Sequence, residues 1–480
     1  MRTIGRDFGD TARKVYAGAS GALPNGVPVA VKSDGTVSQI DGDIIGTTVT
    51  YESGDASLQS MTYDTSNDKV VISYRDGFNS SFGTAVVGTV SGTSISFGTP
   101  VVFESATTTN IGSTFDSNSN KVVIAYRDSA NSYYGTAIIG TVSGTSISFG
   151  TAVVYETSSS QYNSPTFDSS NNKVVIAYRD GGDSDKGKAV VGTVSGTGIS
   201  FGSIVVYNNA VTSYPVSTFD SSSNKIVISY RDGGNSNYGT AIVGTVSGTD
   251  ISFGSEAVFE SANTTYVVST FDSSSNKIVI AYRDGGDSDK GKAVVGTVSG
   301  TSISFGTAAE FSSTSAVNLA TTFDTTANKV VINFSAASDS NKGKFAVGEV
   351  SGTSISFTSP VTYEASYADN QAVTYDSDEN RIVLAYRDIM GNQIGRSLVV
   401  KLGTAEALTS ENYIGITPSA YPDGAGAEIQ TKGSINEEQS GLTAGQSYFV
   451  QTDGTLGTTA ASPSVFAGTA VSATKIIVKG

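Results

Sequence analysis

Apolar positions along the chain fall in short runs of Val, Ile, Tyr and Phe, broken by clusters of Ser, Thr, Asp, Asn and Gly. β-Branched and aromatic side chains suit a pleated, half-buried surface, and no stretch reads as a long amphipathic helix. The runs recur. The string FDSSSNKIVIAYRDGG beginning at Phe271 has a counterpart in every unit. Its aspartate stands at Asp64, Asp116, Asp168, Asp220, Asp272, Asp324 and Asp376, always 52 residues apart. Seven units of one length, without insertion or deletion between these points, predict equivalent places in a closed or stacked array.

Each unit predicts four short strands. The first is SISFGTAVVYE (residues 146–156 in one copy), the second ends in STFD, the third is KIVIAYRD and the fourth GTAIVGTV. A DSSSN turn joins the second to the third, and SGTS closes the fourth. Four antiparallel strands per unit are the signature of a propeller blade. A β-solenoid is the alternative, although its coils are shorter. The expected fold class is therefore all-β, a seven-bladed β-propeller. The first unit opens with a surplus strand, Ile44–Glu52, and the last ends in Gly395–Leu402 without an outer strand of its own. Pairing these two would close the ring and remove the sheet edges that a linear array exposes.

Composition narrows the chemistry. The chain has no Cys, His or Trp, so no disulfide framework, imidazole base, Ser-His-Asp triad or His-ligated metal is available. The net charge of -15 speaks against nucleic acid, whose phosphates call for clustered Lys and Arg. The start, MRTIGRDFGDTARKVY, is basic but has no apolar run behind it, and no segment approaches 18 continuous apolar residues. Neither a secretory signal nor membrane insertion is expected.

The flanks match each other. LPNGVPVAVKSDGTV (23–37) aligns without a gap to LTAGQSYFVQTDGTL (442–456), from Leu23 with Leu442 to Thr36 with Thr455. The shared DGT predicts a hairpin turn. The expected organisation is residues 1–43 and 404–480 as one small β-domain, with the propeller of residues 44–403 inserted in it.

Two resemblances add to this. The turn SGTSISFG, with Phe97, Phe149, Phe201, Phe253, Phe305 and Phe357 in the aromatic role, is similar to that of sialidase and Asp-box propellers, although the defining Asp is absent save for Asp250 nearby. The tail SGLTAGQSYFVQTDGTLGTTAASPSVFAGTAVSATKIIVKG resembles the C-terminal module of tailed-phage virion proteins. The string YRDGGNSNYGTAIVGTVSGT resembles repeats of marine-phage structural proteins. These resemblances imply a virion protein on the tail or capsid surface, assembled in the host cytoplasm, probing a host glycan or protein. They also imply other virion proteins as partners through the flanking domain, and a homo-oligomer of trimeric type.

Contrast between units singles out candidate residues. The loops leading into one strand of each blade vary, while the DSSSN and SGTS turns barely change. One aligned position reads Leu58, Asn110, Tyr162, Tyr214, Tyr266, Asn318 and Asn370. Tyrosine faces stack on sugars and Asn reads hydroxyls, so the set suits a glycan. Tyr133, Tyr134 and Tyr238 are candidates to extend it. The structural alternative is that the tyrosines merely cap a channel mouth.

The remaining motifs read as structural. Arg75, Arg127, Arg179, Arg231, Arg283 and Arg387 recur, with Ser335 breaking the series. Glu52, Glu104, Glu156, Glu260 and Glu364 recur too, with Ser312 in the unit of Ser335. Joint loss predicts Glu–Arg pairs. Asp180, Asp183 and Asp185 carry calcium-type oxygens without the D-x-D-x-D-G register, so a solvated turn is expected and no cofactor is assigned. The ring of Thr62, Thr114, Thr166, Thr218, Thr270, Thr322 and Thr374 is expected to pack blades or line the axis. No phosphate loop or nucleophile elbow occurs. The sequence therefore reads as a non-enzymatic receptor-binding virion protein; a capsid decoration protein and a glycan-cleaving propeller are the rivals.

Overall fold

The computed structural model describes residues 14–479 except 33, 391, 404–407 and 462. The chain is all-β. Among the described residues the one helical element is a 3-10 turn at Ala337–Asp339. The residues form two compact units: Ile45–Val400, and a second made of the described residues up to Ile44 with those from Lys401 onward.

In the larger unit each repeat forms one antiparallel sheet. In the third repeat the end of strand Val153–Asp168 lies innermost and pairs with Lys173–Asp180. Lys173–Asp180 pairs with Lys186–Ser195, which pairs in turn with Gly198–Phe201 and the start of Val205–Asp220. The predicted first strand is thus divided: Ser146–Phe149 is a strand of its own, while residues 153–156 and the predicted second strand are not separate. In six repeats they form a single 16-residue strand, outer edge of one sheet at its start and inner edge of the next at its end. Only Ala257–Glu260 and Thr264–Asp272 are divided. The chain crosses between sheets fully extended, so no turn is needed there.

The aspartate that marks the repeat closes the turn after the inner strand. Asp168, 1% exposed, accepts the backbone N–H of Ser170 and of Asn171, each at 3.0 Å. Neighbouring sheets share a core. Val123, Ala125 and Ile139 of the second pack with Val174, Ile176 and Tyr178 of the third. Glycine sets the approach at the outer edge: a Cβ at Gly150 would lie 2.0 Å from the Thr197 carbonyl oxygen, and Gly98, Gly202, Gly254 and Gly306 meet the same obstacle.

Strand pairing closes into one circuit. The seventh repeat takes its outer strand from the start of the chain: Ser397 faces Val49, Arg396 faces Thr50, Gly395 faces Glu52 and Ile394 faces Asp55. That is the register by which Ala189, Lys188, Gly187 and Lys186 face Val205, Val206, Asn208 and Val211. Gly46 at this seam would clash with the Thr93 carbonyl as its counterparts do with theirs.

The smaller unit has two five-stranded sheets. One combines Lys14–Gly18, Pro28–Val31 and Val37–Gln39 with Tyr413–Ile416 and Gly426–Gln430. The other runs from Ile435–Asn436 to Lys475–Val478. Residues from both flanks share a core in which Ala30 and Ile40 pack with Val450, Val465 and Ala467. The two DGT turns are alike in detail. Asp34 accepts the N–H of Thr36 at 2.9 Å and its hydroxyl at 2.6 Å; Asp453 accepts those of Thr455 at 2.9 and 2.7 Å. Gly35 and Gly454 supply the positive φ the turn requires (82° and 78°).

Candidate functional site

The inner strand of every sheet carries a β-bulge at one place. In the third repeat Gln161 faces Arg179, but the next paired residue is Ser164, facing Ala177. The extra residue is Tyr162, in left-handed conformation with φ 54°. The same shift recurs at Leu58, Asn110, Tyr214, Tyr266, Asn318 and Asn370, with φ between 48° and 56°. A bulge re-aims side chains, and these are re-aimed at the axis. All seven line one cavity of ≈ 340 Å³, together with Gln59, Ile111, Asn163, Val267, Val268, Leu319 and Gln371. The residues singled out by contrast between repeats thus converge.

The three tyrosines form a continuous arc. Ring centroids of Tyr162 and Tyr214 lie 5.2 Å apart, those of Tyr214 and Tyr266 5.6 Å. Behind them Arg179, Arg231 and Arg283 stand 5.3, 5.6 and 5.5 Å from the three ring centroids. The faces of Tyr214 are therefore engaged by protein, which revises the expectation of sugar stacking there. Among the described residues none is hydrogen-bonded to the three phenol hydroxyls, so the arc offers hydroxyl ends. Burial holds the Tyr214 phenol above its ordinary value, reinforced by Tyr162 and Tyr266 and opposed by Arg231 and Arg283. Opposite lie the amides. Asn110 Oδ1 accepts the N–H of Tyr162 at 2.9 Å, and Asn370 Oδ1 that of Leu58 at 3.1 Å, so an Asn at this position ties one inner strand to the next.

The other candidates lie elsewhere. Tyr133, Tyr134 and Tyr238 do not line the cavity; Tyr133 packs against Arg127, 4.4 Å from ring centroid to guanidinium carbon. The expected Glu–Arg pairs are corrected. The glutamates accept the hydroxyl of the tyrosine that precedes each arginine: Tyr74 to Glu52 at 2.9 Å, Tyr126 to Glu104 at 3.0 Å, Tyr178 to Glu156, Tyr282 to Glu260 and Tyr386 to Glu364. Where Glu becomes Ser312, the tyrosine becomes Phe334 and no hydroxyl needs a partner. Where it becomes Asn208, Tyr230 turns to Glu256 at 2.7 Å. The arginines contact local groups instead, Arg387 with Asp369 at 2.8 Å and Asp55 at 3.0 Å, Arg75 with Ser57 at 3.0 Å.

The aspartate-rich loop is neutralised by lysine and arginine. Asp180 pairs with Lys188 at 2.5 Å, Asp183 with Lys186 at 3.0 Å and Asp185 with Arg179 at 3.2 Å. No acidic cluster among the described residues is arranged to hold a metal ion. Thr166, Thr218, Thr270 and Thr322 line a second, open depression with Phe167, Phe219, Phe271 and Phe323.

Sequence reasoning missed the residue after each bulge. Alternation along a strand would turn it away from its neighbour, but the bulge brings two consecutive residues to the cavity. Gln59 and Gln371 enter the lining in this way. A repeat-by-repeat reading of that column (Gln, Ile, Asn, Pro, Val, Leu, Gln) shows variation as strong as the one before it.

No family model matches the chain, and no curated protein matches it. Its fold is similar to that of BP39L lectin from Burkholderia pseudomallei, with TM-score 0.57 at 8% identity over 74% of this chain and 98% of that one. Weaker likenesses reach AofleA from Arthrobotrys oligospora (TM-score 0.43, 10% identity, 71% and 97% covered) and the periplasmic gluconolactonase of Pseudomonas aeruginosa (0.46, 10%, 74% and 96%).

Proposed function

We propose that residues 45–400 are a seven-bladed β-propeller that recognises a glycan at its axial mouth, in a non-enzymatic virion protein of tailed-phage type. The carrying observation is the backbone at the mouth. A left-handed conformation costs an ordinary L-residue on the order of 1–2 kcal/mol, and Asn tolerates it best among non-glycine residues. Three repeats use Asn, yet three consecutive ones hold Tyr in the same strained place. Strain kept at a cavity wall where a less strained choice exists in the same chain favours recognition over capping. The seven equivalent sheets and the shared register at the seam support the propeller reading. A lining without Asp, Glu, Lys or Arg offers no carboxylate pair for glycoside hydrolysis and supports binding over cleavage. The virion assignment rests on the tail and repeat resemblances, with the flanking unit as mount and oligomer contact.

The test exchanges Tyr162 and Tyr214 for the residue that other repeats use. Wild type and Tyr162→Asn/Tyr214→Asn are compared on a glycan array and on intact bacterial cells, with reducing-end release assayed in parallel. Binding should fall at least tenfold while the variant stays folded. Equal binding by a folded variant, or release of reducing ends by wild type, refutes the proposal.

A further inference from the structure

A groove of ≈ 590 Å³ lies between the third and fourth sheets, where Val206 and Asn208 of strand Val205–Asp220 face Asp232, Gly234, Asn235 and Glu256. It shares no lining residue with the axial cavity. Asp232 is 5% exposed. Its Oδ1 accepts the Gly234 N–H at 2.8 Å and the Asn208 amide at 3.2 Å, while Oδ2 has no partner among the described residues and is not sealed from solvent. In three sister repeats the same oxygen holds a cation. Lys188 Nζ lies 2.5 Å from Asp180 Oδ2 and 3.1 Å from Asp183, Lys292 Nζ 2.7 Å from Asp284 Oδ2 and 2.9 Å from Asp287, and Arg396 Nε 2.8 Å from Asp388 Oδ2. In the fourth repeat the basic column holds Thr240, and Asn235 stands where Asp183 and Asp287 do. Thr84 and Thr136 occupy that column in the first two repeats, but there Glu52 and Glu104 stay inside, bound to tyrosine. Only the fourth repeat combines threonine with Asn208 and moves its glutamate, Glu256, to the exposed lip.

We infer that this groove is a docking site for a protein partner, entered by one lysine side chain whose ammonium binds Asp232 Oδ2 and Glu256. The chain itself supplies the precedent, since threonine in place of lysine leaves the room and the negative charge that Lys188 and Lys292 answer elsewhere. No lysine or arginine lines the groove. Arg231, next to Asp232 in the chain, turns to Tyr214 and Ser213 instead. A net charge of -15 also draws a basic surface toward the chain. The flanks favour a lysine over the amine of a sugar. Val206 is 42% exposed in the groove wall, and Val258, 44% exposed, faces Thr240 across the strand pair as Val206 faces Lys188. A lysine stem covers such apolar surface while its head stays in a polar site; an amino sugar has no stem to do so. The partner is thus a surface that presents a lysine among aliphatic side chains, and its docking is independent of the glycan reading at the axis.

The experiment titrates the ¹⁵N-labelled full chain with the peptide acetyl-Val-Lys-Val-amide and follows the amide resonances of Gly234 and Asn235. The same peptide with norleucine for lysine, and glucosamine as a free amine, are the comparison probes. The variants are Thr240→Lys, which copies the third and fifth repeats, and Glu256→Gln, which keeps an acceptor for Tyr230. The lysine peptide should saturate one site, more weakly at high salt, and the norleucine peptide should bind about tenfold more weakly or not at all. Thr240→Lys should lose about tenfold or more with an equal or higher melting temperature, because the chain then supplies its own ammonium. Glu256→Gln should weaken binding with the melting temperature unchanged. Equal binding by the two peptides, equal binding by a folded Thr240→Lys, or no binding by the lysine peptide overturns the site. Glucosamine binding as tightly as the lysine peptide overturns the protein partner. If Thr240→Lys melts lower than wild type, the precedent of the sister repeats fails, and unchanged binding in Glu256→Gln then refutes the proposal.

Discussion

Tyr178 and Glu156 make a buried pair that the chain itself has replaced once. The Tyr178 hydroxyl donates to Glu156 Oε2 at 2.9 Å, with Tyr178 0% and Glu156 7% exposed. A hydrogen bond to a charged acceptor contributes about 1.5–3 kcal/mol, and stranding the charge adds its desolvation. Tyr178→Phe removes the only side-chain donor to Glu156 among the described residues, so a loss of about 2–3 kcal/mol is expected. Adding Glu156→Ser recreates Phe334 with Ser312, where the Ser312 hydroxyl bonds the Thr314 carbonyl at 3.0 Å. The double variant should therefore lie within about 1 kcal/mol of wild type, a coupling of roughly 1.5–2 kcal/mol between the two changes. Urea unfolding followed by far-UV circular dichroism supplies the four corners of the cycle, provided the slopes agree. Should the two losses add to within about 0.5 kcal/mol, the glutamate is not held by the tyrosine and the reasoning fails.

Two further outcomes can be checked. Gly202→Ala drives a methyl into the Thr249 carbonyl oxygen, 1.9 Å away, whereas Gly196→Ala meets nothing within 4 Å and bears only its positive φ of 60°. The second should cost about 1 kcal/mol and the first at least twice that, measured by thermal melting; equal losses would deny the close contact between sheets. Burial alone would raise the Asp180 carboxyl, but Lys188, Ser158 and the Gly182 N–H together bring it below its ordinary value. A depressed carboxylate adds stability above its unfolded value of about 3.9 and loses it as pH falls through the lower folded value. Asp180→Asn should thus weaken the fold at pH 7 and narrow its gap to wild type below pH 4, a shift that urea midpoints taken across that range would reveal.

Much of this architecture is written in spacing. The aspartate every 52 residues marks a turn that its carboxylate closes, so it recurs in each unit while residues of the surface loops change. The DGT hairpins are legible because Asp, Gly and Thr each do something local: accept, turn and donate. What spacing hides is conformation that breaks alternation. Nothing in Tyr162 announces a left-handed φ, but Asn110, Asn318 and Asn370 in the same column do hint at it. The glutamate partner was hidden for a different reason. In the sixth repeat Phe334 and Ser335 changed side by side, and the sequence pattern draws attention to the lost charge while the lost hydroxyl is the physical cause. Gln59 and Gln371 stayed out of view because a strand without a bulge would turn them away.

The seam between Val49–Asp64 and Ile394–Lys401 gives the ring a clasp whose halves lie far apart in time as well as in sequence. A ribosome adding about 5–20 residues per second delivers the second half tens of seconds after the first. Until then the seventh sheet is incomplete and the early strand offers its hydrogen-bonding groups to any passing edge, the interval in which association between nascent chains is most favoured. After closure the situation inverts. Fraying of one sheet no longer opens a free end along which its neighbours can peel, so unfolding must wait for the clasp to part. A chain with such a clasp is guarded by the rate of a single opening event rather than by the depth of any one core.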